Sequence, residues 1–159
     1  MSQNQLVTIL SIIAFTFMSC GDSKELQVEN LNKEVLEIHD AIMPKMAEIN
    51  RLKRQLKSYK DVIIDENVGL KDSVINTVLL LSKSEDAMND WMGSYNYPNN
   101  DASAEQMIQY LVGQKNTIKS ISDNIMMSMA VAKGFLKNAP DSIKNNAIKS
   151  EIKPQEQAK

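Results

Sequence analysis

The chain has 159 residues and a formal net charge of −2, and 43% of its residues are hydrophobic but only 5% aromatic. This weakly acidic balance lacks the net positive charge of a nucleic-acid-binding domain, so we expect no nucleic-acid partner. Five glycines and four prolines are too few for the many turns of a β-sandwich or β-barrel. The composition therefore favours one all-α domain of modest size.

The first predicted element is the apolar run Leu6–Phe17, which lies just before the only cysteine, Cys20. A run of about 12 apolar residues suits a signal peptide and is shorter than the roughly 20 residues that span a bilayer. We predict a lipoprotein signal peptide over 1–19, cleaved before Cys20, and acyl chains (palmitate among them) on a lipidated N-terminus over 20–23. The alternative is a plain secretory peptide that leaves the thiol free.

Apolar residues at alternating steps of three and four predict three helices, at about 24–65, 70–95 and 103–138. In the first helix this stripe shifts phase after Ile42. The polar segment over 139–159 is predicted to be a tail that holds at most a short helix.

Residues at the helix ends carry further signals. Asp22 or Ser23 is expected to cap the first helix, and the sequence of Ser103 and Gln106 is that of a capping box. Asn67 and Gly69 accept left-handed backbone angles, so we place the end of the first helix and a turn in the stretch 65–69.

Short connections make neighbouring helices antiparallel. We therefore predict an up-down-up three-helix bundle over 24–138 with coiled-coil-like packing. The alternative is one unbroken helix over 22–95 that pairs with other chains. If the turns centre on Asn67 and Asn99, simple counting sets Met46 beside Met88, Met43 beside Trp91, His39 near Tyr95 and Met92 beside Met107.

The only histidine belongs to a predicted cluster of six side chains that could bind a metal ion. These are His39, Met43, Met46, Met88, Met92 and Met107. Thioether sulfur and imidazole suit Cu(I), and a Met/His pair could also ligate haem. The competing interpretation is that methionines fill irregular space around a helix kink at Pro44, in which case no cofactor is needed.

A basic stretch follows this cluster on the first helix and comprises Arg51, Lys53, Arg54, Lys57 and Lys60. It is either a solvated helix face or a stalk surface that contacts anionic lipid or glycan near the membrane. We find no nucleophile and base with a partner at a telling spacing, so the sequence predicts no enzyme.

The segment HDAIMPKMAEINRLKRQL (39–56), together with MNDWM (88–92) and the cysteine after the apolar run, resembles a group of small lipoproteins of Bacteroidota. Many of them carry the label "viral A-type inclusion protein". The resemblance implies a helical fold, a lipid anchor and a location in the cell envelope, facing the periplasm or the cell surface. The expected role is a structural or interaction module that binds a protein partner or its own copies.

Overall fold

The computed structural model describes residues 20–63, 68–97 and 101–152, and for 20–22 and 149–152 it describes the backbone alone. These ranges contain four helices: α1 (Cys20–Val62), α2 (Val68–Ser94), α3 (Ala104–Asn138) and α4 (Asp141–Ile152). No strand occurs in them. The all-α fold is confirmed for the described ranges, and the predicted signal peptide over 1–19 lies outside them.

The core of α1 follows a spacing of seven residues. The helix residues at that spacing with at most 5% exposure are Val28, Val35, Ile42, Ile49 and Leu56, and the buried Ile63 continues the spacing directly after the helix. A seven-residue apolar repeat is the spacing at which helices coil around one another with a left-handed twist. The phase shift predicted after Ile42 is therefore wrong. Lys45 occupies the intervening position, half-buried, where its aliphatic stem can cover the core while its ammonium reaches water.

Helices α2 and α3 repeat the same pattern. The buried residues of α2 are Val74, Thr77, Leu81, Ser84, Met88 and Trp91. The buried residues of α3 are Leu111, Ile118, Ile121, Ile125, Ser128, Met129 and Ala132. Three hydroxyl residues are thus part of the core, and each hydroxyl donates a hydrogen bond to a backbone carbonyl one turn earlier on its own helix. This local bond removes most of the cost of burying the hydroxyl.

The ends of α1 differ from the prediction. The helix begins at Cys20, so Asp22 and Ser23 lie inside it and do not cap it. It ends at Val62, and α2 begins at Val68. Gly69 therefore belongs to α2, and no described residue has a positive φ. The left-handed turn predicted at Gly69 is wrong, and Asn67 lies outside the described residues.

The start of α3 confirms the predicted capping box. The Ser103 amide donates to Gln106 Oε1 at 2.9 Å, and the Gln106 amide donates to Ser103 Oγ at 3.3 Å. These two bonds satisfy donors that the first turn of a helix leaves unpaired.

A fourth helix occupies most of the segment that we predict to be a tail. Helix α4 starts directly after Pro140, whose carbonyl accepts hydrogen bonds from the amides of Ile143 and Lys144. Ala147 on this helix is buried. One buried alanine among polar residues gives little periodic signal, which is why the sequence pattern predicts only a short helix there.

Pro44 lies inside α1 on its exposed side. Its ring removes the hydrogen bond to the carbonyl of Asp40. Asp40 is exposed as well, so water can bind that carbonyl. The bend that we expect at Pro44 stays a prediction.

The chain divides into two compact units. Unit 1 comprises Met1–Glu37 and Asn96–Asn116, and unit 2 comprises Ile38–Tyr95 and Thr117–Lys159. In unit 1, α1 and α3 are joined by an ion pair between Lys24 and Glu105 and by a second pair between Glu34 and Lys115 at 2.6 Å.

In unit 2, α1 contacts α2 at Asn50 and Glu85, and α2 contacts α3 at Ser84 and Asn124. The register between α2 and α3 is visible at Ser84, whose hydroxyl oxygen lies 3.5 Å from the Asn124 carbonyl oxygen. A turn centred on Asn99 would instead set Ser84 against Lys115. The predicted register is therefore wrong by more than two helical turns. The connection between Ser94 and Ala104 is centred on position 99, but the midpoint of a connection in the sequence does not fix how far one helix is shifted along the other. None of the described helices combines the length and apolar character that crossing a membrane requires.

Candidate functional site

One side of α1 in unit 2 carries a row of residues spaced alternately by four and three. The row is His39, Met43, Met46, Asn50 and Lys53. Residues at these spacings share one side of a helix. Contacts at the two ends of the row fix what that side faces: the His39 ring lies against Trp91, and Asn50 and Lys53 both contact Glu85. The row therefore faces α2.

His39 is the first member of the row. Its ring centroid is 5.7 Å from that of Trp91, and the Trp91 ring is in turn 4.9 Å from that of Tyr95. Its Nδ1 lies 2.9 Å from Asp40 Oδ1. The sequence places Met43 beside Trp91 and His39 near Tyr95, whereas His39 itself contacts Trp91. Three tilted aromatic rings at such distances add dispersion and quadrupole attraction to the burial of Trp91.

The predicted metal ligands are not equally accessible. Met88 is completely buried in the core, Met43 and Met46 are half-buried, and the Met92 side chain is exposed, at 37%. Met107 belongs to unit 1, where it lines a surface groove of about 350 Å³ together with Val28 and Tyr97. The register between α2 and α3 removes the reason for pairing Met92 with Met107. Among the described residues, no three His, Cys, Asp or Glu side chains gather to hold a metal ion.

The other end of the row is a charged network that the sequence pattern only hints at. Glu85 accepts a hydrogen bond from Asn50 Nδ2 at 3.0 Å and another from Lys53 Nζ. The Lys53 and Glu85 side chains are each 18% exposed. The hydrogen bond from Lys53 is the main cause that lowers the pKa of Glu85 below its ordinary value, while burial acts in the opposite direction. The sequence signal for this network is Glu85 itself, a charged residue next to core positions.

The basic stretch is not one continuous cationic surface. Lys53 is engaged by Glu85, and Arg51 approaches Glu48 at 3.5 Å. Arg54, Lys57 and Lys60 are exposed.

Glu48 also pairs with Lys133 of α3 at 2.8 Å, and this hydrogen bond is the main cause that lowers the pKa of Glu48.

Two surface grooves run between α2 and α3 in unit 2, and the sequence pattern did not predict them. The larger, of about 480 Å³, is lined by Leu70, Ser73, Thr77, Val131 and Phe135 among others. The smaller, of about 240 Å³, is lined by Leu80, Ser84, Ala87, Asn124 and Met127 among others. Met127 and Val131 are 54% and 46% exposed.

Comparison of the chain with family profiles, with curated proteins and with solved structures found no match.

Proposed function

We propose that this chain is a lipoprotein of the cell envelope, anchored in a membrane by acyl chains on Cys20 and acting as a structural or interaction module. The observation that carries the proposal is the position of Cys20, the only cysteine of the chain, which closely follows the apolar run Leu6–Phe17. The anchored protein faces the periplasm or the cell surface.

We also propose the up-down-up three-helix bundle as the architecture of unit 2. Its support is the order of contacts. His39 meets Trp91 and Asn50 meets Glu85, so residue numbers rise along α1 as they fall along α2. Ser73 and Phe135 line one groove while Ser84 and Asn124 line the other, so the numbers rise along α2 as they fall along α3.

Replacing Cys20 by Ser tests the anchor. We expect the wild-type protein, expressed in a bacterium with a lipoprotein pathway, to incorporate an alkyne-labelled palmitate and to sediment with membranes. Cys20→Ser should lose both properties, because two or more acyl chains are needed for stable anchoring. The measurement is in-gel fluorescence of the labelled lipid alongside cell fractionation. Equal labelling of the variant would contradict the proposal.

The interaction role has its own test. Exposed apolar side chains such as Leu79 and Met127, at 50% and 54% exposure, gain by contact with a partner. We expect a photo-crosslinking residue at position 127 to give a discrete adduct with one envelope protein or with a second copy of the chain. The control position is Asp123, an exposed polar residue one turn earlier. The same diffuse products from both positions would count against an interaction module.

A further inference from the structure

The contacts of Glu85 show which positions of α1 lie opposite which positions of α2. The carboxylate of Glu85 lies between Asn50 and Lys53 and accepts a hydrogen bond from each. Both helices follow a seven-residue core repeat in this unit, at Ile42, Ile49 and Leu56 on α1 and at Val74, Leu81 and Met88 on α2. In antiparallel helices with such a repeat, the same facing positions recur seven residues earlier on one helix and seven residues later on the other.

One repeat away from the charged network, all three of these positions carry methionine. Asn50, Lys53 and Glu85 are replaced there by Met43, Met46 and Met92. The methionine sulfur lies at the δ position, where Asn50 has its amide nitrogen and Glu85 its carboxyl carbon, and it lies two bonds nearer the backbone than the Lys53 ammonium. The sulfur of Met92 is therefore set to face those of Met43 and Met46 across the two helices, as the carboxylate of Glu85 faces its two donors. We propose that Met43, Met46 and Met92 together bind one Cu(I) ion through their three sulfur atoms.

The chemistry of the three side chains selects this ion. Thioether sulfur is a soft, neutral donor that suits Cu(I) and few other first-row metal ions. Met43 and Met46 are half-buried and Met92 is exposed, so an ion can enter from solvent and still be held between two helices. The helices that hold the sulfur atoms are fixed on both sides of the site, by the Trp91 contact and by the Glu85 network.

The proposal narrows the six-residue cluster predicted from the sequence. Met88 is a core side chain without exposure, and Met107 belongs to the other unit. His39 is left outside the triad, since its Nδ1 bonds Asp40 and its ring packs on Trp91. This inference rests on the antiparallel arrangement proposed for unit 2 but not on the lipid anchor, so it can fail or succeed independently of the proposed cellular role.

Competition for Cu(I) tests the site. The full chain carrying Cys20→Ser, which removes the thiol as a competing Cu(I) ligand, is purified in detergent and titrated anaerobically with Cu(I) in the presence of a chromogenic Cu(I) chelator. We expect one ion to bind per chain, with sulfur and no nitrogen in the copper X-ray absorption spectrum. Met46→Leu and Met92→Leu should each weaken binding by about 100-fold or more, because the loss of even an outer-shell partner typically costs about 10- to 100-fold.

Matched variants distinguish the triad from general methionine content. Met126→Leu and Met127→Leu remove two exposed methionines of α3 in the same unit, and both should leave the affinity unchanged. His39→Gln should also leave it unchanged. Circular dichroism confirms that each variant is helical. The proposal is overturned if the chelator keeps all the copper, if the α3 variants weaken binding as much as Met46→Leu, or if His39→Gln abolishes it.

Discussion

Leu81→Ala should lower the free energy of unfolding by about 2–5 kcal/mol. Leu81 has no exposed surface, and its neighbours one repeat away, Val74 and Met88, have none either. Truncation to alanine removes apolar surface that folding buries and leaves a cavity that rigid neighbouring helices cannot close. The measurement is urea unfolding monitored by far-ultraviolet circular dichroism, with the slope of the transition checked for two-state behaviour.

Leu79→Ala is the matched control for this experiment. Leu79 lies on the same helix two positions earlier, yet its side chain is 50% exposed. The chemical change is identical, and alanine has the higher helix propensity, so we expect little loss of stability. If the two substitutions lower the free energy of unfolding equally, Leu81 does not lie in the core and the seven-residue repeat of α2 is assigned wrongly.

The positions of the helices could be predicted from the sequence because apolar residues dominate their core positions. Apolar character alone would nevertheless place Val78 and Met92 in the core of α2, whereas the structure buries Thr77 and Ser84 and leaves Met92 exposed. A pattern based on hydrophobicity does not identify these hydroxyl residues as core positions. Their hydrogen bonds to the Ser73 and Leu80 carbonyls, which make burial tolerable, appear only once the helix has formed.

The candidate site was partly predictable for a different reason. The spacing of His39, Met43 and Met46 on one side of α1 follows from helix geometry alone. What lies opposite depends on the register of the helices, which the sequence gives only if each turn is centred on a known residue. A turn centred on Asn67 agrees with the contact between Asn50 of α1 and Glu85 of α2. A turn centred on Asn99 disagrees with the contact between Ser84 of α2 and Asn124 of α3, because the length of a connection does not show along which helix it runs.

The charge of Glu85 is the second feature with a large expected effect. Glu85→Gln keeps the size of the side chain and an oxygen that can accept from Asn50, but it removes the charge that Lys53 faces. Hydrogen bonds to charged groups contribute more than neutral ones, so we expect a loss of about 1–3 kcal/mol near neutral pH. Lys53 would also be left 18% exposed without its counter-ion, which adds a cost of desolvation.

The pH dependence has a definite sign. The pKa of Glu85 is lowered in the folded chain, mainly by the hydrogen bond from Lys53, from its ordinary value of 4.5. A carboxyl group whose folded pKa is depressed contributes its full stability above the ordinary value and loses it as the pH falls through the depressed value. The wild type and Glu85→Gln should therefore differ most near neutral pH and converge under acidic conditions.

Urea unfolding of both chains at neutral pH and at steps down through the ordinary glutamate range measures this convergence. Glu105→Gln is the control, since Glu105 also pairs with a lysine, Lys24, but the two side chains are 63% and 40% exposed. Solvent screens such a pair, so its loss should change stability far less. If the difference in free energy of unfolding between wild type and Glu85→Gln stays constant at every pH, the substitution acts through packing alone. In that case the Lys53–Glu85 pair could not be what holds α1 and α2 in register beside the three methionines.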